Sequence, residues 1–299
     1  MNLQFPSYDE ISDLIHLAKT EDLRDDDVTS RLLIPRHQQG VGIIVQKQAG
    51  VLAGLPIVPM ICRAYDPQLT IEAIGGSLEA LEGRYTASPA RLPILKIRGP
   101  MRSLLSAERV ILNFLQRLSG VATLTHTYVL AAAGTAARIY DTRKTTPGWR
   151  LLEKYAVRAG GGVNHRMGLY DGLLVKDNHL AAIPLANLAA ELSKIVTASR
   201  DEAPTRFIQI EVDNLQQLLE VLKVDSIDSI LLDNMSCPTM IEAVQLRNSA
   251  GREGQVALEA SGGVNLQSVA AIAQTGVERI SVGALTHSAV ALDLGLDVE

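Results

Sequence analysis

The sequence has few aromatic residues, few cysteines and no long apolar run. Aromatic residues make up 4% of the 299 residues, so the core must consist mostly of aliphatic side chains, as in parallel α/β folds. The two cysteines, Cys62 and Cys237, are far apart and lack metal-ligand spacing, which argues against a disulfide framework or a zinc site. The longest apolar stretch, Val51–Cys62, is interrupted by Pro56 and Pro59, so we expect no membrane span.

The sequence also has no excess of basic over acidic residues. The formal net charge is −5, which argues against a nucleic-acid partner but leaves room for a local basic cluster that binds a small anion. The first ten residues contain Asp9 and Glu10 and no apolar core of a signal peptide, so we predict a cytoplasmic protein. Apolar residues make up 47% and charged residues 20%, a balance that can fill a real core.

The first third of the chain predicts an α+β lobe with a mostly antiparallel sheet. Ile11–Lys19 has the apolar spacing of a helix. Short β-like runs follow at Val41–Val45, Leu69–Ile74 and Leu92–Ile97, separated by Gly and Pro. An apolar stripe from Ala107 to Leu118 then predicts a helix, which we expect Gly120 to interrupt before a second helix over Thr123–Ala133.

From Ala137 onward the chain alternates strands with helices, which predicts a parallel sheet with right-handed crossovers. The helical segments between most of the strands include Pro184–Ala198, Leu215–Val221, Met240–Arg247 and Leu266–Gln274. The six candidate strands are Ala137–Asp141, Gly172–Lys176, Phe207–Val212, Ser229–Asp233, Val256–Ala260 and Arg279–Gly283. An open doubly wound sheet and a barrel both fit this alternation.

Each candidate strand ends in polar, charged or glycine residues, which favours the barrel. Barrel enzymes build their sites from the carboxyl ends of several strands, whereas an open sheet binds its ligand at one switch point. Any one polar strand end has an ordinary explanation, because strand ends meet exposed loops. Glu211 and Glu259 are harder to explain in this way, since each directly continues an apolar run and an unpaired buried carboxylate is costly.

The residue types at these ends predict a site for a polyanion that carries a sugar. The candidate cations are Arg143, Lys144, Arg166 and Lys176, which suit carboxylates and phosphates. Glu211 and Asp233 suit Mg²⁺ or ribose hydroxyls. The turn at Ser261-Gly262-Gly263 and the strand end at Gly283 could offer backbone N–H groups to a phosphate.

Three segments together resemble the signature of quinolinate phosphoribosyltransferases. They are residues 141–148 (DTRKTTPG), 160–171 (GGGVNHRMGLYD) and 176–179 (KDNH). Shorter matching pieces follow in order around residues 211–212, 232–235, 259–263 and 281–284, so the resemblance covers about Tyr8 to Gly295. One departure lies near the start, where Asp26 stands at a position at which family members usually have glycine.

The resemblance implies a type II phosphoribosyltransferase fold, which is an open-faced parallel α/β barrel with an N-terminal α/β sandwich domain. The implied bounds are 1–118 for the N-terminal domain and 119–285 for the barrel. A segment over 286–299 would return to the N-terminal domain. The family also implies a homodimer or higher homo-oligomer whose active sites are shared between subunits, with Arg109 crossing from one subunit to its neighbour.

The implied activity joins quinolinate to phosphoribosyl pyrophosphate (PRPP) with loss of CO₂, a step of de novo NAD biosynthesis, with Mg²⁺ as cofactor. The resemblance assigns quinolinate to Arg109, Arg143, His165, Arg166 and Lys176. The resemblance also makes Thr142 a substrate-binding residue. It assigns Lys144 to the carboxylates of quinolinate or to the pyrophosphate. Glu211 and Asp233 would hold Mg²⁺ or ribose hydroxyls, and Lys144, Lys176, Glu211 and Asp233 are the catalytic candidates. The 5′-phosphate is assigned to Ser261, Gly262, Gly263, Val282, Gly283 and Ala284.

Two alternatives compete with this prediction. The first is a related phosphoribosyltransferase that takes nicotinate or another small anion, although the density of cations favours a dicarboxylate. The second is a catalytically silent barrel that binds a ligand or supports an assembly. The charged residues present at every matched position argue against this second alternative.

Overall fold

The computed structural model describes residues 4–87, 91–180 and 182–299, and the chain divides into two compact units. Unit 1 runs over Met1–His126, Thr145–Gly161 and Leu285–Glu299. Unit 2 runs over Thr127–Lys144 and Gly162–Ala284. These units differ from the predicted domain bounds chiefly at residues 145–161, which group with the N-terminal residues, and the predicted bounds stay a prediction.

The described segments contain twelve helices and twelve strands. In chain order the helices are α1 (Tyr8–Leu23), α2 (Val28–Leu33), α3 (Ile57–Tyr65), α4 (Leu78–Leu81), α5 (Met101–Ala131), α6 (Arg150–Ala159), α7 (Asp177–Leu180), α8 (Leu188–Glu202), α9 (Leu215–Val221), α10 (Cys237–Ser249), α11 (Val269–Ala273) and α12 (Ala284–His287). The strands are β1 (Gln39–Gln46), β2 (Gly50–Val51), β3 (Thr70–Ala73), β4 (Tyr85–Thr86), β5 (Leu92–Pro100), β6 (Arg138–Tyr140), β7 (Gly172–Val175), β8 (Phe207–Val212), β9 (Ser229–Asp233), β10 (Ala257–Ser261), β11 (Arg279–Ser281) and β12 (Leu294–Val298). No helix among the described residues is both long enough and apolar enough to cross a bilayer.

Unit 1 contains a four-stranded antiparallel sheet in the order β12-β1-β5-β3. Strand β12, from the end of the chain, pairs along β1 from Gly42 to Gln46. The positions of Gly40 and Gly42 on β1 lie against the side chains of Met101 and Leu104, so the start of α5 packs closely on this sheet. The predicted antiparallel sheet of the first third is therefore confirmed, with one strand supplied from the C-terminal segment.

The predicted break at Gly120 is wrong, because α5 continues as one helix of 31 residues. A Cβ atom at Gly120 would lie 2.1 Å from the carbonyl oxygen of Val290. Gly120 is therefore required for close approach of another chain segment, and the helix passes through it. A single glycine costs a helix only about 1 kcal/mol relative to alanine, which the packing of a long apolar stripe offsets.

Unit 2 is an open-faced parallel α/β barrel, as predicted. Its six strands pair in parallel in the order β6-β11-β10-β9-β8-β7, so the last strand of unit 2, β11, lies beside the first, β6. Among the described residues no ladder joins β6 to β7, and the barrel is open there. The six predicted strands are confirmed, with ends that shift by one or two residues.

Alternation along these strands separates an apolar face from a polar one. In β8, Ile208, Ile210 and Val212 are fully buried on one face, while Gln209 and Glu211 point to the opposite face. The ladder pairs Glu211 with Leu231 of β9, and Leu231 with Glu259 of β10, so these side chains share one face. Aliphatic residues on the other face form the core, and the polar face is free to build a site.

Candidate active site

A cavity of about 620 Å³ opens on the polar face of the barrel at the carboxyl ends of its strands. Its lining includes four cationic side chains and three carboxylates, so it suits a ligand with several charges. The lining residues are Thr142, Arg143, Lys144, His165, Arg166, Leu174, Lys176, Glu211, Leu231, Asp233, Asn234, Glu259, Ser261, Gly262, Gly263 and Ser281.

Asp141 holds two of the signature segments together. Its carboxylate is fully buried, and it accepts hydrogen bonds from the backbone N–H of His165 at 2.8 Å and from the Asn164 amide at 2.6 Å. Directly beyond it, the Thr142 hydroxyl accepts the backbone N–H of Lys144 at 3.0 Å. The hydrogen bonds of Asp141 and Thr142 therefore hold residues 141–144 in place. This orients the side chains of the segment that face the cavity.

Two guanidinium groups, those of Arg143 and Arg166, line the cavity. Burial and the positive charge of Arg143 both lower the pKa of Arg166, while Asp171 partly offsets them. The Nε of Arg143 is buried and has no hydrogen-bond partner among the described residues. Arg166 donates to the carbonyl of Gly172 at 3.0 Å. An anion between the two arginines would relieve both the repulsion and the unpaired donor.

The carboxylates of the site are concentrated around Glu211. Its side chain is 10% exposed and its carboxylate lies 3.9 Å from the ammonium of Lys176. Burial raises the pKa of Glu211, the charge of Lys176 lowers it, and the carboxylates of Asp233, Asp177 and Asp213 raise it again. The net shift is upward, so the ionised carboxylate is held in a site that does not fully compensate its charge.

This shift makes a prediction about stability. A raised pKa means that protonated Glu211 stabilises the folded protein below about pH 4, and that this stability is lost as the pH rises through the raised value. The neutral Glu211→Gln variant should therefore unfold at a higher temperature than the parent protein at pH 7, and the difference should disappear near pH 4. Thermal unfolding at both pH values measures this. A lower melting temperature for Glu211→Gln at pH 7 would contradict the account.

A tight contact shapes the turn after β10. Asn234 has a left-handed φ of 53°, its backbone N–H donates to the carbonyl of Ser261 at 2.9 Å, and its amide donates to Asp233 at 2.7 Å. A Cβ at Gly262, where φ is +92°, would lie 2.1 Å from the Asn234 side-chain oxygen. Only glycine fits this position, and Asn234 thereby ties Asp233 to the turn at 261–263.

The structure brings together in unit 2 most of the residues that the sequence predicts for the site. Four predicted residues are not among those that line the cavity. Arg109 is exposed on α5 in unit 1, and Val282, Gly283 and Ala284 follow β11, where the backbone N–H of Val282 donates to the carbonyl of Tyr140. The roles of all these residues stay predictions. Those that line the cavity are Thr142, Arg143, Lys144, His165, Arg166, Lys176, Glu211, Asp233, Ser261, Gly262 and Gly263.

No role was predicted for several polar residues of the same face, although Glu259 stood out at the end of its strand. Asn234 and Glu259 line the cavity, and Gln209 contacts both His165 and Glu259. The signal for Gln209 was available, because it precedes Glu211 by two residues on a strand and must share its face. No pattern within its own strand indicates a role for Asn234, because that role depends on its contact with the backbone of the neighbouring strand.

An open parallel barrel with a cavity for a charged ligand at the carboxyl ends of its strands defines a class of α/β enzymes. Comparison with known families shows which family within this class the chain belongs to. The sequence model of the quinolinate phosphoribosyl transferase C-terminal domain matches residues 121–297, and that of the N-terminal domain matches residues 27–119. The chain belongs to the quinolinate phosphoribosyltransferase family.

Individual relatives match over nearly their full length. The chain is 40% identical to a protein of Mycobacterium leprae named nicotinate-nucleotide pyrophosphorylase (carboxylating), over 97% of this chain and 98% of the relative. It is 38% identical to quinolinate phosphoribosyltransferase (decarboxylating) 1 of Nicotiana glauca, over 98% of this chain and 83% of the relative. The structure of the nicotinate-nucleotide pyrophosphorylase from Francisella tularensis aligns with a TM-score of 0.87 at 33% identity, over 100% of this chain and 99% of that one.

Proposed function

We propose that this protein is a quinolinate phosphoribosyltransferase that transfers the phosphoribosyl group of PRPP to quinolinate with loss of CO₂. The products are nicotinate mononucleotide, pyrophosphate and CO₂, in the biosynthesis of NAD. The two names carried by the relatives describe this one reaction in its two directions. We further propose a cytoplasmic location, which fits the two cysteines that lie far apart in the sequence.

The observation that carries this proposal is the presence of two guanidinium groups, those of Arg143 and Arg166, in one cavity. Quinolinate has two adjacent carboxylates, and a planar guanidinium can bind each of them through two parallel hydrogen bonds. Both side chains line the cavity, and burial and then the positive charge of Arg143 lower the pKa of Arg166. Lys176 supplies a further charge, and His165 also lines the cavity.

These residues promote the reaction chiefly by orientation and fixed charge. The ring nitrogen of quinolinate displaces pyrophosphate from the anomeric carbon, and positive charge develops on the ribose at the transition state. Carboxylates at Glu211 and Asp233 would stabilise that charge, and Lys144 would contact the negatively charged pyrophosphate as it leaves. When the carboxylate next to the nitrogen leaves as CO₂, the electron pair of the broken bond stays on that ring carbon, where the adjacent positive nitrogen stabilises it, and a proton from water then takes the place of the carboxylate. Neither step requires a nucleophile from the protein.

Glu211 and Asp233 are also suited to Mg²⁺. In the described part of the chain no group of three or more His, Cys, Asp or Glu could hold a metal ion by itself. Mg²⁺ is commonly held by one or two carboxylates together with substrate phosphates, and the residual negative charge around Glu211 fits this donor set. Bound there with PRPP, the ion would neutralise charge on the departing pyrophosphate.

The turn at Ser261-Gly262-Gly263 is suited to the 5′-phosphate. Gly263 has a left-handed φ of 59° and open space at its Cβ position, so its backbone can be approached closely by a ligand. Val282, Gly283 and Ala284 are proposed to complete this phosphate site from the end of the neighbouring strand.

A mixed-substrate experiment separates quinolinate from the alternative substrate, nicotinate. The purified protein is incubated with PRPP and Mg²⁺ and with equal concentrations of the two pyridines, each carrying a different isotope label. Mass spectrometry of the nucleotide product then reports which ring was used. We expect the label of quinolinate to predominate, because a monocarboxylate can engage only one of the two guanidinium groups. Predominance of the nicotinate label would favour the alternative.

A shared active site gives a further prediction. We propose that the protein forms homodimers or larger homo-oligomers in which Arg109 completes the site of a neighbouring subunit. Arg109→Ala and Lys176→Ala should each be nearly inactive alone. In a random mixture about half of the dimers combine one subunit of each kind, and each of these has one intact site, so about a quarter of parental activity should return.

Mass spectrometry of intact complexes is the control for this mixing experiment, because it shows whether mixed dimers form. If mixed dimers are present and no activity returns, Arg109 does not act across a subunit boundary.

A further inference from the structure

A chain of polar contacts crosses the polar face of unit 2 below the cavity. It begins at Arg279 on β11, whose Nε donates to the Oε2 of Glu259 at 2.6 Å. The side-chain amide of Gln209 donates to the same oxygen at 3.0 Å. The oxygen of that amide lies 2.9 Å from the Nε2 of His165, which lines the cavity. Three strands and the signature segment at 160–171 are thus connected through side chains alone.

The orientation of the Gln209 amide decides which atom of His165 carries a proton. The NH₂ group of Gln209 donates to Glu259 and also to the Ser229 hydroxyl at 3.1 Å. Its oxygen is therefore the atom that faces His165. Because a carbonyl oxygen can only accept, the Nε2 of His165 must be a donor.

The other ring nitrogen leads independently to the same tautomer. The Nδ1 of His165 accepts the backbone N–H of Arg166 at 2.8 Å. A doubly protonated ring would direct an N–H group at this backbone N–H, and the contact would be lost. Both neighbours of the ring therefore require neutral His165 with its proton on Nε2.

Glu259 gives the contact chain a fixed negative charge. Burial raises its pKa, but the nearby N–H of His165 and then the charge and hydrogen bond of Arg279 outweigh this effect and lower the pKa. The Arg279 guanidinium stacks on the Tyr140 ring, 3.7 Å from its centre, which holds the counter-charge in place. The second oxygen of Glu259 is 3.4 Å from the Nε2 of His165, farther than the Gln209 oxygen. Gln209 thus receives the histidine N–H in preference to the carboxylate.

We propose that Gln209, Glu259 and Arg279 are positioning residues that hold His165 as its neutral Nε2–H tautomer and, through it, fix the backbone at Arg166. This inference rests on the proposed function, in which Arg166 binds a carboxylate of quinolinate. The last hydrogen bond of the contact chain joins the Nδ1 of His165 to the backbone N–H of Arg166. The backbone N–H of the preceding residue, His165, is bound by Asp141. The contact chain therefore acts on the backbone position of Arg166. Its effect should therefore fall on quinolinate rather than on PRPP.

The tautomer is measured in the parent protein, in which the contact chain is unchanged. Nitrogen-15 NMR of histidine side chains distinguishes the Nε2–H tautomer, the Nδ1–H tautomer and the charged ring by their nitrogen shifts. The measurement uses the full chain without substrates at neutral pH, and the resonances of His165 are identified by their absence in His165→Gln. We expect the Nε2–H pattern. A charged ring or the Nδ1–H pattern would overturn the proposal.

Kinetics then test the effect on the site. Gln209→Met keeps the volume of the side chain but removes both its acceptor and its donors. We expect the KM for quinolinate to rise about tenfold, while the KM for PRPP changes less than about twofold. Thr275→Val is the matched control, because it removes another buried hydrogen bond of unit 2 that has no connection with the contact chain. A loss of folded protein alone would lower kcat and leave both KM values unchanged.

The two proposals fail in different ways. If the parent protein does not turn over quinolinate, the proposed function is wrong, and the NMR measurement still reports on the tautomer. If the parent protein is active but folded Gln209→Met has an unchanged KM for quinolinate, the positioning role is wrong and the function stands. If Gln209→Met does not fold, Ser229→Ala removes one of the two acceptors that orient the amide and should raise the KM in the same direction by a smaller factor. An unchanged KM in Ser229→Ala would then overturn the role.

Discussion

Replacing Arg143 by lysine is expected to weaken quinolinate binding about a hundredfold. Lysine keeps the charge but loses the planar fork, so two charge-assisted hydrogen bonds become at most one, at a cost of about 3 kcal/mol. Arg143 lines the cavity, so its guanidinium group can reach a bound substrate. Isothermal titration of quinolinate into the protein without PRPP measures the effect.

The matched control for this substitution is Arg206→Lys. Arg206 pairs with Glu202 at 2.8 Å on the surface and does not line the cavity, so quinolinate affinity should not change. If Arg143→Lys folds normally and binds quinolinate as tightly as the parent protein does, the two guanidinium groups do not bind the dicarboxylate.

Removing divalent cations with excess chelator is expected to lower turnover at least about a hundredfold, and added Mg²⁺ or Mn²⁺ should restore it. The pyrophosphate that leaves carries several negative charges, and a single fixed charge at a reacting group is commonly worth a factor of this size. Because the described residues offer no complete metal site, the affinity for Mg²⁺ should be weak until PRPP is present.

A pair of variants connects this metal requirement to particular residues. Asp233→Asn should raise the Mg²⁺ concentration needed for half-maximal activity, whereas Asp225→Asn, at a largely exposed aspartate paired with Arg252, should leave it unchanged. Full turnover in the presence of chelator would remove the metal from the mechanism. Equal effects in the two variants would remove Asp233 from the metal site.

The barrel could be predicted from the sequence because its strands are short and regular. Each of them alternates with a helix, and a run such as residues 207–212 carries aliphatic residues on one face and polar residues on the other. Strong local patterns of this kind determine the element type before tertiary contacts are known. The cations and carboxylates of the cavity were equally visible, since they stand at strand ends and the parallel arrangement brings those ends together.

Other features depend on contacts that no local pattern reveals. Gly120 has the local signal of a helix break, and only its contact with Val290 shows why the helix continues. The pairing of β12 with β1 joins segments about 250 residues apart and leaves no mark on either of them. The roles of Gln209 and Asn234 follow from contacts with neighbouring strands, so the same residue types elsewhere would be ordinary surface amides.

The most direct test of the proposed function is the release of labelled CO₂. Quinolinate labelled in the carboxylate next to the ring nitrogen is incubated with the protein and Mg²⁺, with and without PRPP, and the CO₂ and the nucleotide are both quantified. We expect CO₂ to appear only with PRPP and in amounts equal to nicotinate mononucleotide. Release of CO₂ without PRPP, or formation of a nucleotide that retains the labelled carboxylate, would contradict the proposed function.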